Sequence, residues 1–399
     1  MKVGLYGIRG VYNFGCEAIV RGVYQFINSI YPESEIIYFS YSADFDKAAL
    51  ADLNIEIRPI IYNKKIANRL INKIFRIFHI NYRYLMFDAN KVIDSVDLFL
   101  SIGGDIYTIP KVLRKKRRYL FYNSLVDFCN RAIKKGKPVI VYGASVGPWG
   151  EYKVAVNYYI NALSKYKAIL CRERESVVYL RKFGFKNVLF FPDPAFQVRG
   201  ENKYVKKKYI GINLSPLAFN EVYGNHGIVY IKGLTKLMDL LWEKYEIDIL
   251  FIPHVISKAP DDNDLWFMEK IKDNMRYKNH VQIADVSKGF LGAKEHIAEC
   301  RAVIAARMHC AINAVEENIP TIFVSYSQKS IGMCKYIYGD CDMLVDLQKM
   351  DQDLFKVLDK ALEGEEDIAR RLKLRNDEIQ QYYKENVEHI KEILSIKNG

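Results

Sequence analysis

The stretch ARMHCAINAVEEN at 306–318 sets an arginine and a histidine one residue apart where an apolar run stops. The run before them, 302–306, is short and β-prone, and 310–317 carries a helical pattern that ends at Asn318-Ile319-Pro320. A strand handing over to a helix is expected here. Side chains at i and i+2 of a strand point the same way, so Arg307 and His309 should share a side that Met308 does not. The pair also stands beside a helix N-terminus, a place favourable to anions. Arginine brings a planar fork of N–H donors that fits phosphate or carboxylate, and histidine titrates near neutrality. After the next apolar run, VSYSQKS supplies Tyr326 and Lys329. One strand-helix-strand unit thus carries Arg307, His309 and Lys329, a set suited to a small, multiply charged anion.

In open α/β sheets the ligand lies beyond the carboxyl ends of the strands, so the residues after every apolar run are candidates. GIRGVYNFGCEA follows the first run, with Gly7, Gly10 and Gly15 allowing a tight loop and with Asn13 and Glu17 at the start of a helix. It is not GxGxxG, and a Gly-rich first loop alone is weak evidence of a nucleotide site. SIGGDIY supplies Gly103, Gly104 and Asp105, and GASVGPW supplies Ser145, Gly147 and Pro148. LCRERES, FFPDPAF and FIPHV add Arg172, Asp193 and His254. Each has a structural alternative. Glycine is ordinary turn punctuation. Arg172 can pair with Glu175 on a surface helix, Asp193 can cap its own turn, and His254 can be a satisfied loop histidine.

These residues need elements to hold them. Short β-rich runs at 3–6, 35–40, 55–60, 98–102, 138–143, 168–171 and 188–191 alternate with helical segments. The alternation restarts at 209–213, 247–252, 281–284, 302–306 and 321–325, after the polar stretch QVRGENKYVKKK. That is the pattern of parallel sheets wound with crossover helices. Two doubly wound, Rossmann-like α/β domains are expected, at 1–200 and 201–365, followed by a charged helical tail over 366–399 that docks across them.

Length agrees, since 399 residues with 50% apolar content exceed the ~250–300 residues at which single cores stop growing. No run approaches the roughly 18 apolar residues of a membrane span, and KVGLYG starts the chain as a strand rather than a signal peptide. A soluble, cytoplasmic protein is expected. The seven cysteines lack CxxC or zinc-like spacing, so reduced thiols and no metal site are expected. The net charge of +12 includes two clusters, KVLRKKRRY (Lys111, Arg114, Lys115, Lys116, Arg117, Arg118) and KYVKKKY (Lys203, Lys206, Lys207, Lys208). Each reads first as a solvated face, and without a zinc finger or RNP pattern no nucleic-acid partner is expected. A third basic stretch, 64–83, is amphipathic: Ile66, Ala67, Leu70, Ile71, Ile74, Phe75, Ile77 and Phe78 gather opposite Lys65, Arg69, Lys73 and Arg76. Peripheral contact with an anionic membrane through 64–83 is one expectation, and packing on the first sheet is the other.

In their order, these motifs resemble the polysaccharide pyruvyl transferase family. NFGCEA matches its N-x-G-[DC]-E, followed by the GG segment, SVGP, the R-[DE]-x-x-S from Arg172 to Ser176, Asp193-Pro194, and R-x-H with Y-x-x-K. Two departures are Cys16, where aspartate is commoner, and SIGGD, which replaces a more glycine-rich version. The resemblance implies a GT-B-like fold and a reaction in which phosphoenolpyruvate, with no further cofactor, gives pyruvate to two hydroxyls of a sugar as a cyclic ketal. It implies His309 as acid and base, Arg307 at the departing phosphate, and Glu17 as a base for the sugar hydroxyl. Arg172, Lys329, Tyr326, His254, Asn13, Gly15, Gly103, Gly104, Ser145, Gly147 and Asp193 are then the substrate-binding set. The acceptor is expected to be a glycan sugar, free or carried on polyprenyl diphosphate. The competing readings are a GT-B nucleotide-sugar glycosyltransferase and a non-catalytic glycan- or membrane-binding protein.

Overall fold

A computed structural model describes residues 1–62, 66–78, 80, 83–109, 114, 121–200, 205–224 and 227–395. Of the basic stretches, Lys111, Lys115, Lys116, Arg117, Arg118, Lys203, residues 63–65, 79, 81 and 82, and the side chains of Ile66 and Arg76 lie outside the described residues. The chain divides into two compact units. The first comprises Met1–Gly10, Val23–Asp193 and Glu385–Gly399, the second Val11–Gly22 and Pro194–Lys384.

The first unit holds β1 (Lys2–Tyr6), β2 (Glu35–Ser40), β3 (Glu56–Pro59), β4 (Leu98–Ile102), β5 (Val139–Ala144), β6 (Ala168–Cys171) and β7 (Val188–Phe190). They form one parallel sheet in the order β3-β2-β1-β4-β5-β6-β7. The second unit holds β8 (Tyr209–Asn213), β9 (Ile249–Phe251), β10 (Val281–Ile283), β11 (Cys300–Ala305), β12 (Thr321–Ser325) and β13 (Leu344–Asp346). These are also all parallel, in the order β10-β9-β8-β11-β12-β13. The central strands are buried along their whole length because helices cover both faces, which is why they read as unbroken apolar runs. The edge strand β13, three residues long and ending in a carboxylate, carries no such signal and was not expected.

The units differ in outline from the expected 1–200, 201–365 and 366–399. The change of unit falls between Asp193 and Pro194, the tail divides between Lys384 and Glu385, and residues 11–22 belong with the second unit. The last point has a specific cause. The first loop runs antiparallel to the segment after β9, through the bridge Asn13↔Val255, Phe14 N–H to the His254 carbonyl (2.9 Å) and Ile256 N–H to the Tyr12 carbonyl (3.1 Å). Local periodicity cannot announce such a pairing. In the tail, the Asn376 amide of helix Glu365–Glu385 donates to the Val315 carbonyl (2.8 Å) in the second unit, and Tyr31 donates to the Lys391 carbonyl (3.2 Å) in the first. Among the described residues no helix is long and apolar enough to cross a membrane, and no His, Cys, Asp and Glu group is placed to hold a metal ion.

Candidate functional site

In the second unit the strand order changes direction between β8 and β11, the position at which open α/β sheets form a crevice. Buried Asn213, the last residue of β8, ties the strand ends there. Its Oδ1 accepts from Arg307 N–H (2.8 Å), its carbonyl from Ala306 N–H (3.1 Å), and its Nδ2 donates to the Ile252 carbonyl (2.9 Å) and Asp264 (3.3 Å).

Arg307 is the N-cap of helix Met308–Glu316 and His309 lies in its first turn. Strand alternation is therefore not what groups them, because β11 ends at Ala305. They are neighbours because cap and first turn share one helix N-terminus. The Arg307 guanidinium is mostly buried and already paired. Nε and Nη2 donate to Asp264 Oδ1 (3.1 and 2.8 Å), and Nη2 donates to Asp262 Oδ1 (2.7 Å). Asp264 is fully buried and also accepts from the backbone N–H groups of His254 and Val255 (3.1 Å each). Burial alone would lower the pKa of the guanidinium, but Asp264 outweighs it and holds Arg307 firmly charged. Burial lifts the Asp264 carboxyl, and Arg307 pulls it back. Arg307 is thus no isolated cation. Its Nη1 makes no hydrogen bond among the described residues, so it offers a ligand an oriented N–H edge rather than a net charge.

His309 meets the first loop. A Cβ on Gly15 would stand 2.3 Å from His309 Nδ1 and 3.0 Å from its Cβ, so glycine is required for this approach. Asn13 holds the loop in place, its Oδ1 accepting from Gly15 N–H (3.0 Å) and its carbonyl from Cys16 and Glu17 N–H. The loop and the R-x-H segment, far apart in sequence, are one site in space.

His254 is not at a mouth but in the wall behind. It is 1% exposed, with Phe14 and Phe290 packed edge-on at centroid distances of 5.9 and 6.4 Å. Burial, with the nearby charges of His309 and Arg307 adding to it, pushes its pKa down to about 3, so the ring is neutral. Its Nδ1 lies 3.4 Å from the Ile252 carbonyl, and Nε2 is buried without a hydrogen-bond partner. Tyr326 follows β12, next in the sheet to β11, near enough to bear on the Arg307 charge, and Lys329 stands half-buried in the first turn of helix Gln328–Tyr338.

Glu17 does not suit the role of base for a sugar hydroxyl. It is fully buried, its Oε1 accepts from Arg21 Nε (2.7 Å), and its Oε2 accepts from Phe290 N–H (2.8 Å) at the start of helix Gly289–Ile297. A carboxylate there favours the helix dipole and ties the first loop down.

In the first unit Arg172 likewise departs from its expected role of facing a ligand, and its partner is not Glu175. It is 2% exposed and fastens the ends of four strands. Nε donates to Ser145 Oγ (3.0 Å), Nη1 to Asp193 (2.8 Å) and Nη2 to Asp105 (3.2 Å), while Glu173 lies 3.7 Å away. Burial opposes its charge, and Asp193, Asp105 and Glu173 together overcome that. Ser145 N–H donates to the Gly104 carbonyl (2.7 Å), and a Cβ on Gly104 would come 3.0 Å from Arg172 Nη2. Gly103 has a positive φ of 137°, and a Cβ on Gly147 would strike the Tyr179 ring at 2.3 Å. Gly103, Gly104, Ser145, Gly147, Arg172 and Asp193 are therefore one cluster in the first unit, with Asp105 its half-exposed member. Asn213, Asp262, Asp264 and Glu173 escaped the sequence reading. Only the DDND loop after FIPHV hinted at a counter-charge for Arg307.

Residues 13–328 match the family model described as polysaccharide pyruvyl transferase. The chain belongs to that family. The matched span opens on Asn13 and takes in both Gly15 and His309, the two sides of the contact above. A relative, the amylovoran biosynthesis protein AmsJ of Erwinia amylovora, is 24% identical over 416 residues, covering 93% of this chain and 94% of its own. Solved structures show the same GT-B-like fold. A Listeria monocytogenes protein assigned as a UDP-N-acetylglucosamine 2-epimerase matches with a TM-score of 0.61 at 11% identity, over 100% of this chain and 98% of its own. Anabaena Alr3699/HepE, solved with UDP and glucose, matches at 0.60 and 12% identity over 98% of each.

Proposed function

We propose that the protein transfers pyruvate from phosphoenolpyruvate to two hydroxyls of one glycan sugar, forming a cyclic ketal during assembly of a bacterial surface polysaccharide. The observation that carries this reading is the packing of Gly15 against His309 beside the Arg307 cap, which joins two segments of the family span into one constellation. Phosphoenolpyruvate bears a phosphate and a carboxylate on three carbons. The N–H groups of the first turn of helix Met308–Glu316, the Arg307 Nη1 edge, Lys329 and Tyr326 are the donors that suit it.

Protonated His309 gives its proton to C3 of the enol, and C2 becomes an oxocarbenium-like centre. The first sugar hydroxyl adds there and passes its proton to the now neutral imidazole. The second hydroxyl then attacks C2, the C2–O bond to phosphate breaks as the ring closes, and the hydroxyl's proton leaves on the departing phosphate. One imidazole suits these steps because the same ring nitrogen that gives a proton can take one back. Arg307, fixed by Asp264 and Asp262, offers its Nη1 edge to the departing phosphate without reorganising. The acceptor that fits this chemistry is a sugar with two neighbouring hydroxyls, free or carried on polyprenyl diphosphate at the cytoplasmic side.

The test pairs ligand binding with turnover. Phosphoenolpyruvate should raise the melting temperature of the wild-type chain, UDP- and GDP-sugars should not, and His309→Ala should release no phosphate while melting as wild type does. Stabilisation by a nucleotide sugar alone would overturn the reading in favour of a glycosyltransferase. Wild-type phosphate release by His309→Ala would remove His309 from the chemistry.

A further inference from the structure

Among the described residues, helix Ile66–Ile77 of the first unit is held to its unit through Asn72 and Phe75. Asn72 exchanges two hydrogen bonds with the backbone of Tyr84 (2.9 and 2.7 Å), and Phe75 stacks on the Tyr84 ring at 6.1 Å. At roughly 100° per residue, Asn68, Ile71, Asn72 and Phe75 share this inner side, and all four are partly covered. Leu70, Ile74 and Ile77 project on the opposite side with relative exposures of 56%, 47% and 61%, and Phe78 follows at 71%. Ile61, Tyr62 and Ile80 are exposed beside them in the chain. The apolar face expected either to pack on the sheet or to meet a membrane is thus left largely open.

The charge beside that face says what it fits. Exposed Arg69 and Lys73 border that outward face on its basic side, with Lys73 nearest Ile77. From 59 to 87 the chain has no Asp or Glu. A face that buried itself against another protein by hydrophobicity alone would need no such one-signed border. Aliphatic and aromatic side chains flanked by unpaired-sign cations match a surface that is apolar below and anionic above.

We infer that helix Ile66–Ile77 and Phe78 dock the protein on an anionic phospholipid bilayer, with Leu70, Ile74, Ile77 and Phe78 entering the headgroup boundary and Arg69 and Lys73 meeting lipid phosphates. The inference goes beyond the proposed reaction and does not depend on it, because binding is measured without substrate. It would bring a lipid-carried acceptor and the enzyme to one plane.

The experiment uses the full chain, co-sedimented with vesicles of phosphatidylglycerol and phosphatidylcholine or of phosphatidylcholine alone, at low and physiological salt. Two variants are compared, Arg69→Glu with Lys73→Glu, and Leu70→Gln with Ile74→Gln. All four positions are exposed, and melting curves verify that both variants fold. The wild type should bind the anionic vesicles, less well as salt rises, and the neutral ones weakly. Removing the two basic charges alone should lower partitioning on the order of 30-fold, at about 1 kcal/mol per residue near an anionic surface, and the two added carboxylates should lower it further. The apolar variant should lose binding as well. Equal recovery with both vesicle types, or binding unchanged in either variant, overturns the proposal. So does sedimentation equilibrium showing a wild-type dimer that Leu70→Gln with Ile74→Gln dissolves, which would make the face a contact between two copies.

Discussion

Gly15→Ala tests the joining of the two distant segments directly. The new Cβ would lie 2.3 Å from His309 Nδ1, where ordinary contact begins at 3.4 Å, so something must give by about 1 Å. The loop resists, being held by the Asn13 cap, the bridge to Val255 and the bond from Phe14 N–H to the His254 carbonyl. The imidazole is the part that can swing. A displacement of about 1 Å at a catalytic group costs on the order of 100-fold in rate. That corresponds to about 2.7 kcal/mol of barrier. Stability should change little, since alanine gains about 0.5–1 kcal/mol over glycine within a helix and the strained contact takes back a similar amount.

The assay is phosphate release from phosphoenolpyruvate with acceptor, read beside the melting temperature. The control is Gly233→Ala in helix Gly227–Tyr245, where an added Cβ meets nothing within 4 Å. It should keep wild-type turnover and gain up to about 1 kcal/mol of stability. Wild-type turnover by Gly15→Ala would refute the argument, because the histidine would then tolerate displacement and could not be the group that times proton transfer.

Arg307→Lys should weaken phosphoenolpyruvate binding and also lower the melting temperature, since an ammonium cannot reproduce the fork on Asp264 and Asp262; an unchanged melting temperature would mean the buried pairs are not what orients it. Arg172→Met should lose about 3–5 kcal/mol of stability by leaving Asp193 and Glu173 without their cation. Weaker ligand binding at wild-type stability, seen in urea unfolding and titration, would instead make Arg172 a ligand contact. His254 should shape the acid limb of stability. Its folded pKa of about 3 lies below the unfolded value of about 6.5, so its contribution is complete above about pH 6.5 and falls as the pH drops, by about 2 kcal/mol at pH 5. His254→Gln should flatten that limb, and superimposable pH profiles of urea unfolding would show that His254 is hydrated and not buried neutral.

Much of the architecture could be read from the chain because parallel strands covered on both faces need continuous apolar runs, which the central strands carry and the edge strands β3 and β10 carry only in part. Arg307 and His309 stood out for a related reason: the residues that close a central strand and open the next helix have no choice but to line the sheet's carboxyl edge. Their geometry was read through the wrong rule, strand alternation, because the point at which β11 yields to a cap depends on Asn213, nearly a hundred residues earlier. The buried pairing of Glu17 and Arg172 could not be read for a different reason. A charged residue after a strand reads the same whether its partner is a ligand or a buried group, and what decides is the counter-charge. Asp264, Asp193 and Phe290 N–H become counter-groups only once the chain has folded.

The same reasoning explains why the glycines of the site divide as they do. Gly104 and Gly147 make room for two side chains of their own unit, Arg172, which ties strand ends together, and Tyr179, whose hydroxyl accepts from Trp149 N–H. Gly15 makes room for His309, in the first turn of helix Met308–Glu316 beside the Arg307 cap. A close approach that serves structure should be replaceable by any pair of groups filling the same volume. A close approach to a titratable ring beside a guanidinium edge has to preserve the ring's placement as well as the volume. On the proposed mechanism the Asn13–Gly15 loop serves the chemistry of the R-x-H segment as well as its packing, and a variant that repacks the contact without an imidazole should fold and stay inert.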